Sequence, residues 1–144
     1  MRPLVGIILL LGLLATAGAA GPELRLSPRK TRDEVRAVVE AQLAALRAGD
    51  FDQAYGFAAE GIRRQFDARL FGAMIKRGYP ALLRPGQSDL GVVRDDGENL
   101  AQVLVTVTDR QKRITVYRYW LVQEEAGWRI SGVVPEQRPP RGDT

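Results

Sequence analysis

The sequence predicts an α+β domain in which three helices pack on a curved four-stranded antiparallel sheet. Three observations lead there. Apolar residues recur at helical spacing from Val35 to Ile75, they alternate with polar ones at a period of two from Leu90 to Val134, and short turns separate the alternating runs. Strands joined by such turns pair in order as a meander, and the helices then cover one of its faces.

The helical half divides at glycines and prolines. Thr31-Arg32-Asp33-Glu34 fits a capping box, followed by Val35, Val38, Val39, Leu43 and Leu46 on one face. Gly49 is placed to end this first helix, because glycine tolerates the left-handed turn there. Asp50 opens a shorter second helix that turns Phe51, Ala54, Tyr55 and Ala58 to one side, and Gly61 interrupts it. A third helix is expected over residues 68–77 with Leu70, Phe71, Met74 and Ile75 as its apolar stripe. Tyr79-Pro80 then forces an extended backbone, and Arg84-Pro85-Gly86 marks a turn.

The sheet half begins with a short strand over 90–94 and a turn at Asp95-Asp96-Gly97. Ala101, Val103, Val105 and Val107 alternate with Gln102, Leu104, Thr106 and Thr108 in a second strand. A third runs over 114–123 and a fourth over 128–134. Proline cannot continue a ladder, so the segment 135–144 is expected to be a disordered tail.

The first twenty residues read as a signal peptide. Met1-Arg2 supplies a positive start, Leu4 to Leu14 a run that is apolar apart from two glycines, and Ala15 to Ala20 small residues suited to cleavage near Ala19 or Ala20. The apolar core of about eleven residues is well short of the ~20 that a membrane-spanning helix needs, so no transmembrane segment is expected after cleavage. The mature chain is then expected in the periplasm or secreted, with 21–30 as a proline-bearing linker and 31–134 as the folded domain.

Composition excludes familiar chemistries. Of 144 residues none is Cys or His, so a lipid anchor, disulfides, a catalytic triad, a cysteine nucleophile, a zinc site of usual ligands and histidine-ligated haem are closed off. No cofactor and no metal are expected, since Asp95, Asp96 and Glu98 read as a hairpin turn with too few oxygens for calcium. The net charge of +4 is spread over separated pairs such as Arg63-Arg64 and Lys112-Arg113, which is a solvated surface rather than a nucleic-acid footprint.

Phe57-Ala58-Ala59-Glu60-Gly61-Ile62-Arg63, the Phe71 to Met74 step, Arg77-Gly78-Tyr79-Pro80, Arg84-Pro85 and the closing Gly127-Trp128-Arg129-Ile130 resemble an exported bacterial family classed as domain of unknown function 4864. The likeness spans residues 33–134. It implies the cone-shaped, cystatin-like fold of nuclear-transport-factor-two-like (NTF2-like) domains and no particular activity. The resemblance also implies that Trp128 and Ile130 face the helices.

Tyr117, Tyr119 and Leu121 are then placed on that inner face, and Ile114, Val116, Trp120 and Val122 on the outer one with Leu104 beside them. Tyr55, Tyr79, Arg84, Tyr117 and Tyr119 are the candidate lining of a ligand pocket. Leu104, Val116, Trp120 and Val122 are the candidate interface of a homodimer. No catalytic residue is assigned, because no Asp or Glu falls at an inward strand position to serve as a base. The expected role is an exported, non-catalytic domain that binds a small apolar ligand or an envelope protein. The alternative is an isomerase- or dehydratase-like enzyme using a tyrosine and a carboxylate.

Intact-mass measurement of the exported protein should show a chain that starts between Thr16 and Glu23; membrane-bound full-length chain with Met1 in place would refute the cleavage.

Overall fold

The computed structural model describes residues 21–136, so the expected signal peptide and the segment from 137 onward lie outside the described residues. The chain opens with a two-residue strand β1 (Arg25–Leu26), then four helices: α1 (Arg29–Arg47), α2 (Phe51–Gly56), α3 (Glu60–Gln65) and α4 (Ala68–Gly78). A 3-10 turn over Pro80–Leu83 leads into β2 (Gly86–Asp95), β3 (Leu100–Asp109), β4 (Ile114–Glu124) and β5 (Gly127–Pro135). The strands form one antiparallel sheet in the order β1-β2-β3-β4-β5.

Val35, Val39, Leu43 and Leu46 bury the α1 stripe as their spacing predicts. The capping box does not form. Pro28 occupies the N-cap position, with Arg32 N–H donating to its carbonyl at 2.9 Å, so Thr31 lies inside the first turns. Glu34 is drawn instead to the ammonium of Lys30, one turn earlier. Gly49, at φ +74°, ends the helix as expected.

Three further differences from the sequence expectation have physical reasons. Gly61 does not break the chain; it sits in α3, which is held by the burial of Ile62 and by the Glu124 carboxylate accepting from Glu60 N–H at 2.8 Å. Leu70 does not join the α4 stripe and stays 47% exposed, while Phe71 and Ile75 are buried. Residues 25–26 are not linker but strand, because Arg25 and Leu26 pair with Asp95 and Arg94 and Ser27 N–H donates to Val93 C=O. Among the described residues the sheet therefore has five strands where four are expected, and there are four α-helices rather than three.

Strand β2 starts at Gly86, four residues earlier than expected. A side chain at Gly86 would place its Cβ 2.1 Å from the Thr108 carbonyl oxygen, so glycine alone allows the two strands to meet there. A bulge between Leu90 and Val93 shifts the β2–β3 register.

The core lies between the helices and the inner sheet face. Val93, Ala101, Val103, Val105, Val107, Tyr117, Tyr119, Leu121, Trp128 and Ile130 are all buried there. Phe57 C=O and Ala59 N–H bracket Ile130 at 2.8 Å each, so the segment between α2 and α3 pairs with the outer edge of β5. The sheet does not stop at Val134: Glu136 N–H donates to Val116 C=O at 2.8 Å.

Trp128→Ala removes a large side chain that is 5% exposed and should cost about 3–5 kcal/mol. Denaturant unfolding measures it, and a change within experimental error would contradict this packing.

Candidate functional site

Tyr79 occupies the centre of the helix–sheet interface. It ends α4, is 2% exposed, and its hydroxyl donates to Val133 C=O at 2.7 Å. Its ring lies 5.9 Å from that of Tyr117 at 45°. Tyr119, two residues along β4 and therefore on the same face, is fully buried. Burial pushes the Tyr79 phenol up to about 12, with the neighbouring Tyr117 adding to the effect. Burial raises Tyr117 and Tyr119 as well; the nearby guanidinium of Arg84 pulls back on Tyr117, and that of Arg47 on Tyr119. These phenols are side chains held neutral.

The other two residues expected around a pocket stand apart. Tyr55 is half-buried, tilted on Phe71 at a ring separation of 5.4 Å, with its hydroxyl on the carbonyls of Phe66 (2.6 Å) and Arg63 (3.1 Å). Arg84 faces the buried Asp109 carboxylate at 3.7 Å. Burial pushes that carboxyl up, but the Arg113 backbone N–H and guanidinium and the Gln111 N–H outweigh it and hold Asp109 below the usual range.

The interior retains a cavity of about 30 Å3 between α1, α4 and β5. Phe71, Met74, Ile75, Leu82 and Val133 wall it with Tyr79, and Gln42 brings the amide of a buried side chain to it. Tyr55, Arg84, Tyr117 and Tyr119 do not line it, nor does any carboxylate. A space of this size holds one or two waters; pockets for small organic ligands are on the order of ten times larger. Gln42 is the residue that sequence reasoning missed, since a polar side chain beside the apolar stripe of α1 reads as solvated.

Among the described residues no group of three Asp or Glu converges as a metal site. Asp95 accepts from the Ser27 hydroxyl and from Gly97 N–H, and Asp96 from the N–H groups of Glu98 and Leu100, so both carboxylates serve the hairpin turn. Among the described residues no helix is long and apolar enough to cross a membrane.

The outer sheet face has a different character. Leu104 is 36% exposed and stands opposite Arg118; Val116, Trp120 and Val122 are half-buried along β4, with Trp120 between Gln102 and Gly132. Ile114 adds an exposed side chain at the end of the strand. Arg118 makes a two-pronged ion pair with Glu136 in the middle of this surface. That pairing raises the Arg118 guanidinium and holds the Glu136 carboxyl below the usual range.

The raised phenols fix a pH dependence. Between pH 10 and about 12 the folded chain keeps the Tyr79 proton that the unfolded chain has lost, so stability falls as pH rises through that window. Denaturant midpoints measured across the window, with tyrosinate absorbance recorded alongside, should show the decline. Tyrosines that all ionise near 10 in the folded protein would contradict it.

The fold has solved counterparts. A domain of unknown function with a cystatin-like fold from Nostoc punctiforme superposes with a TM-score of 0.58 at 14% identity, covering 80% of this chain and 82% of that one. An NTF-2 like protein of unknown function from Shewanella oneidensis gives 0.54 at 14% identity, covering 73% and 98%. At such identities the likeness establishes the fold alone. No curated protein matches the chain significantly in sequence. The family model described as domain of unknown function DUF4864 matches residues 28–142, and the chain belongs to that family.

Proposed function

We propose that this chain is an exported, non-catalytic association domain that pairs with a second copy through the outer face of its sheet. The observation that carries the reading is the apolar surface formed by Leu104, Val116, Trp120 and Val122, on the side of the sheet away from the helices. Antiparallel sheets ordinarily turn a polar face to water, and contiguous apolar patches on soluble domains mark contact surfaces. Removing such a patch from water contributes on the order of 25 cal/mol per Å2, and tryptophan is where interface energy tends to concentrate. The Arg118–Glu136 pair supports a specific geometry, because paired charges inside an apolar surface fix register.

The filled interior supports the same reading from the other side. A small apolar ligand would have to enter a cavity of about 30 Å3. The isomerase- or dehydratase-like alternative needs a carboxylate beside a tyrosine hydroxyl, and the Tyr79 hydroxyl is already engaged by the Val133 carbonyl. Export rests on the leader-like first twenty residues. An envelope protein that uses the same face remains the natural second partner.

Sedimentation of the mature domain at tens of micromolar, an order-of-magnitude concentration for interfaces of this kind, should show a dimer. Trp120→Glu should give a folded monomer. An unmodified domain that is already monomeric would end this reading.

A further inference from the structure

The two edges of the sheet are treated differently. On β5, Ile130 is bracketed by Phe57 and Ala59, Val133 C=O accepts from Tyr79, and Trp128 C=O accepts from Arg129. On the opposite side β1 covers β2 only at Arg94 and Asp95, with Ser27 reaching Val93 before Pro28 turns the chain into α1. Among the described residues no strand lies against the stretch of β2 from Gly86 to Val92 on that side.

The backbone groups that face this open edge can be identified. Leu90 C=O points outward, since it accepts from Arg36 on α1 at 3.3 Å. In an extended strand the N–H and C=O of one residue point the same way and alternate at the next. Leu90 N–H and both backbone groups of Ser88 therefore face the edge as well.

Between this edge and α1 runs a groove of about 330 Å3, with Leu43 and Ala44 as its apolar wall and Ser88 and Leu90 along the strand. Its lining carries two arginines and two carboxylates. Arg36 pairs with Glu40 at 3.7 Å, while Arg47 and Asp89 each meet a neutral side chain, Asp89 accepting from Gln87 at 3.4 Å. Arg47 donates to the neutral Ser88 hydroxyl, and its buried Nε has no partner among the described residues.

We propose that the groove receives an extended peptide, which adds to β2 as a further strand and sets a carboxylate against Arg47. The peptide takes up the line that β1 leaves at Pro28. Its backbone satisfies both groups of Ser88 and the Leu90 N–H, while Arg36 keeps the Leu90 carbonyl, as strand addition does at other open sheet edges. Its carboxylate gives the Arg47 guanidinium a charged acceptor beside the neutral Ser88 hydroxyl. Arginines beside an edge also protect it from unwanted pairing; a purely protective arginine would show no preference for a charged peptide.

The test uses the full mature chain and a fluorescein-labelled peptide of alternating Thr and Val bearing one Glu. Versions with Gln in place of Glu, each with a free or an amidated end, separate a side-chain carboxylate from a C-terminal one. Binding should be saturable, and about tenfold weaker for the peptide that has neither carboxylate. Hydrogen exchange at the amides of Ser88 and Leu90 should slow at saturation. Arg47→Gln should abolish the preference for a carboxylate, and Ser88→Pro, which removes one edge N–H, should abolish binding. Trp120→Glu should bind the peptide as the unmodified chain does, which keeps this proposal separate from association through the outer face. Absent binding, equal binding of charged and uncharged peptides, or unchanged exchange at Ser88 and Leu90 overturns the proposal. So does binding that emerges only after residues 137–144 are removed, which would put the chain's own end in the groove. Concentration-dependent protection of the two amides without peptide would assign the edge to a second copy and overturn it equally. If Ser88→Pro does not fold, Arg47→Gln and the exchange measurement decide.

Discussion

The hydrogen bond from the Tyr79 hydroxyl to the Val133 carbonyl is the interaction on which the arrangement of the domain turns. It joins the end of the last helix to the last strand across the width of the core. A buried phenol without an acceptor costs about 1–3 kcal/mol, a cost that the Val133 carbonyl spares Tyr79 and that the Tyr119 hydroxyl, with no partner among the described residues, does not escape. With the ring in place Tyr117 packs against it, and the volume that a cone-shaped domain leaves open is taken up by side chains. The chemistry available to the protein follows from that filling. Burial holds the Tyr79, Tyr117 and Tyr119 hydroxyls neutral inside that core.

How much of this was legible in the sequence depended on how local the cause was. The period-two pattern from Ala101 to Val107 is written by a strand with one buried face, whereas β4 is apolar on both faces and its facing came from the family resemblance at Trp128 and Ile130. The beginning of β2 left no such pattern, because Gln87, Ser88 and Asp89 are polar on both faces of an edge strand. Strand β1 was invisible for a different reason: two residues carry no period, and their pairing partners lie about seventy positions away. The helix α3 was masked by Gly61, whose weak helix propensity is overridden by a carboxylate from Glu124.

The same distinction applies to the candidate sites. That Tyr117 and Tyr119 share a face could be read from alternation, and that the face is the inner one from the family resemblance, but that Tyr79 fills the space rather than borders it depends on depth, which periodicity does not encode. Gln42 is polar and adjoins the apolar stripe of α1, so nothing in the sequence marks it as buried. Arg47 meets Ser88 across forty-one positions, and nothing near either residue announces the other. Separations of that kind are where a single sequence is silent, since the helix-to-strand packing that closes them is itself the result of folding.

The unequal edges of the sheet have one more effect. Edge-to-edge addition propagates into fibres only when each added unit presents a fresh edge of its own. Here the far side of every unit is occupied by the segment around Ala58, bound backbone to backbone with Ile130. A second copy that adds at the β2 edge therefore meets no free backbone at Ile130 from which a third could continue. The domain can keep an open strand edge without the polymerisation that an open edge ordinarily invites.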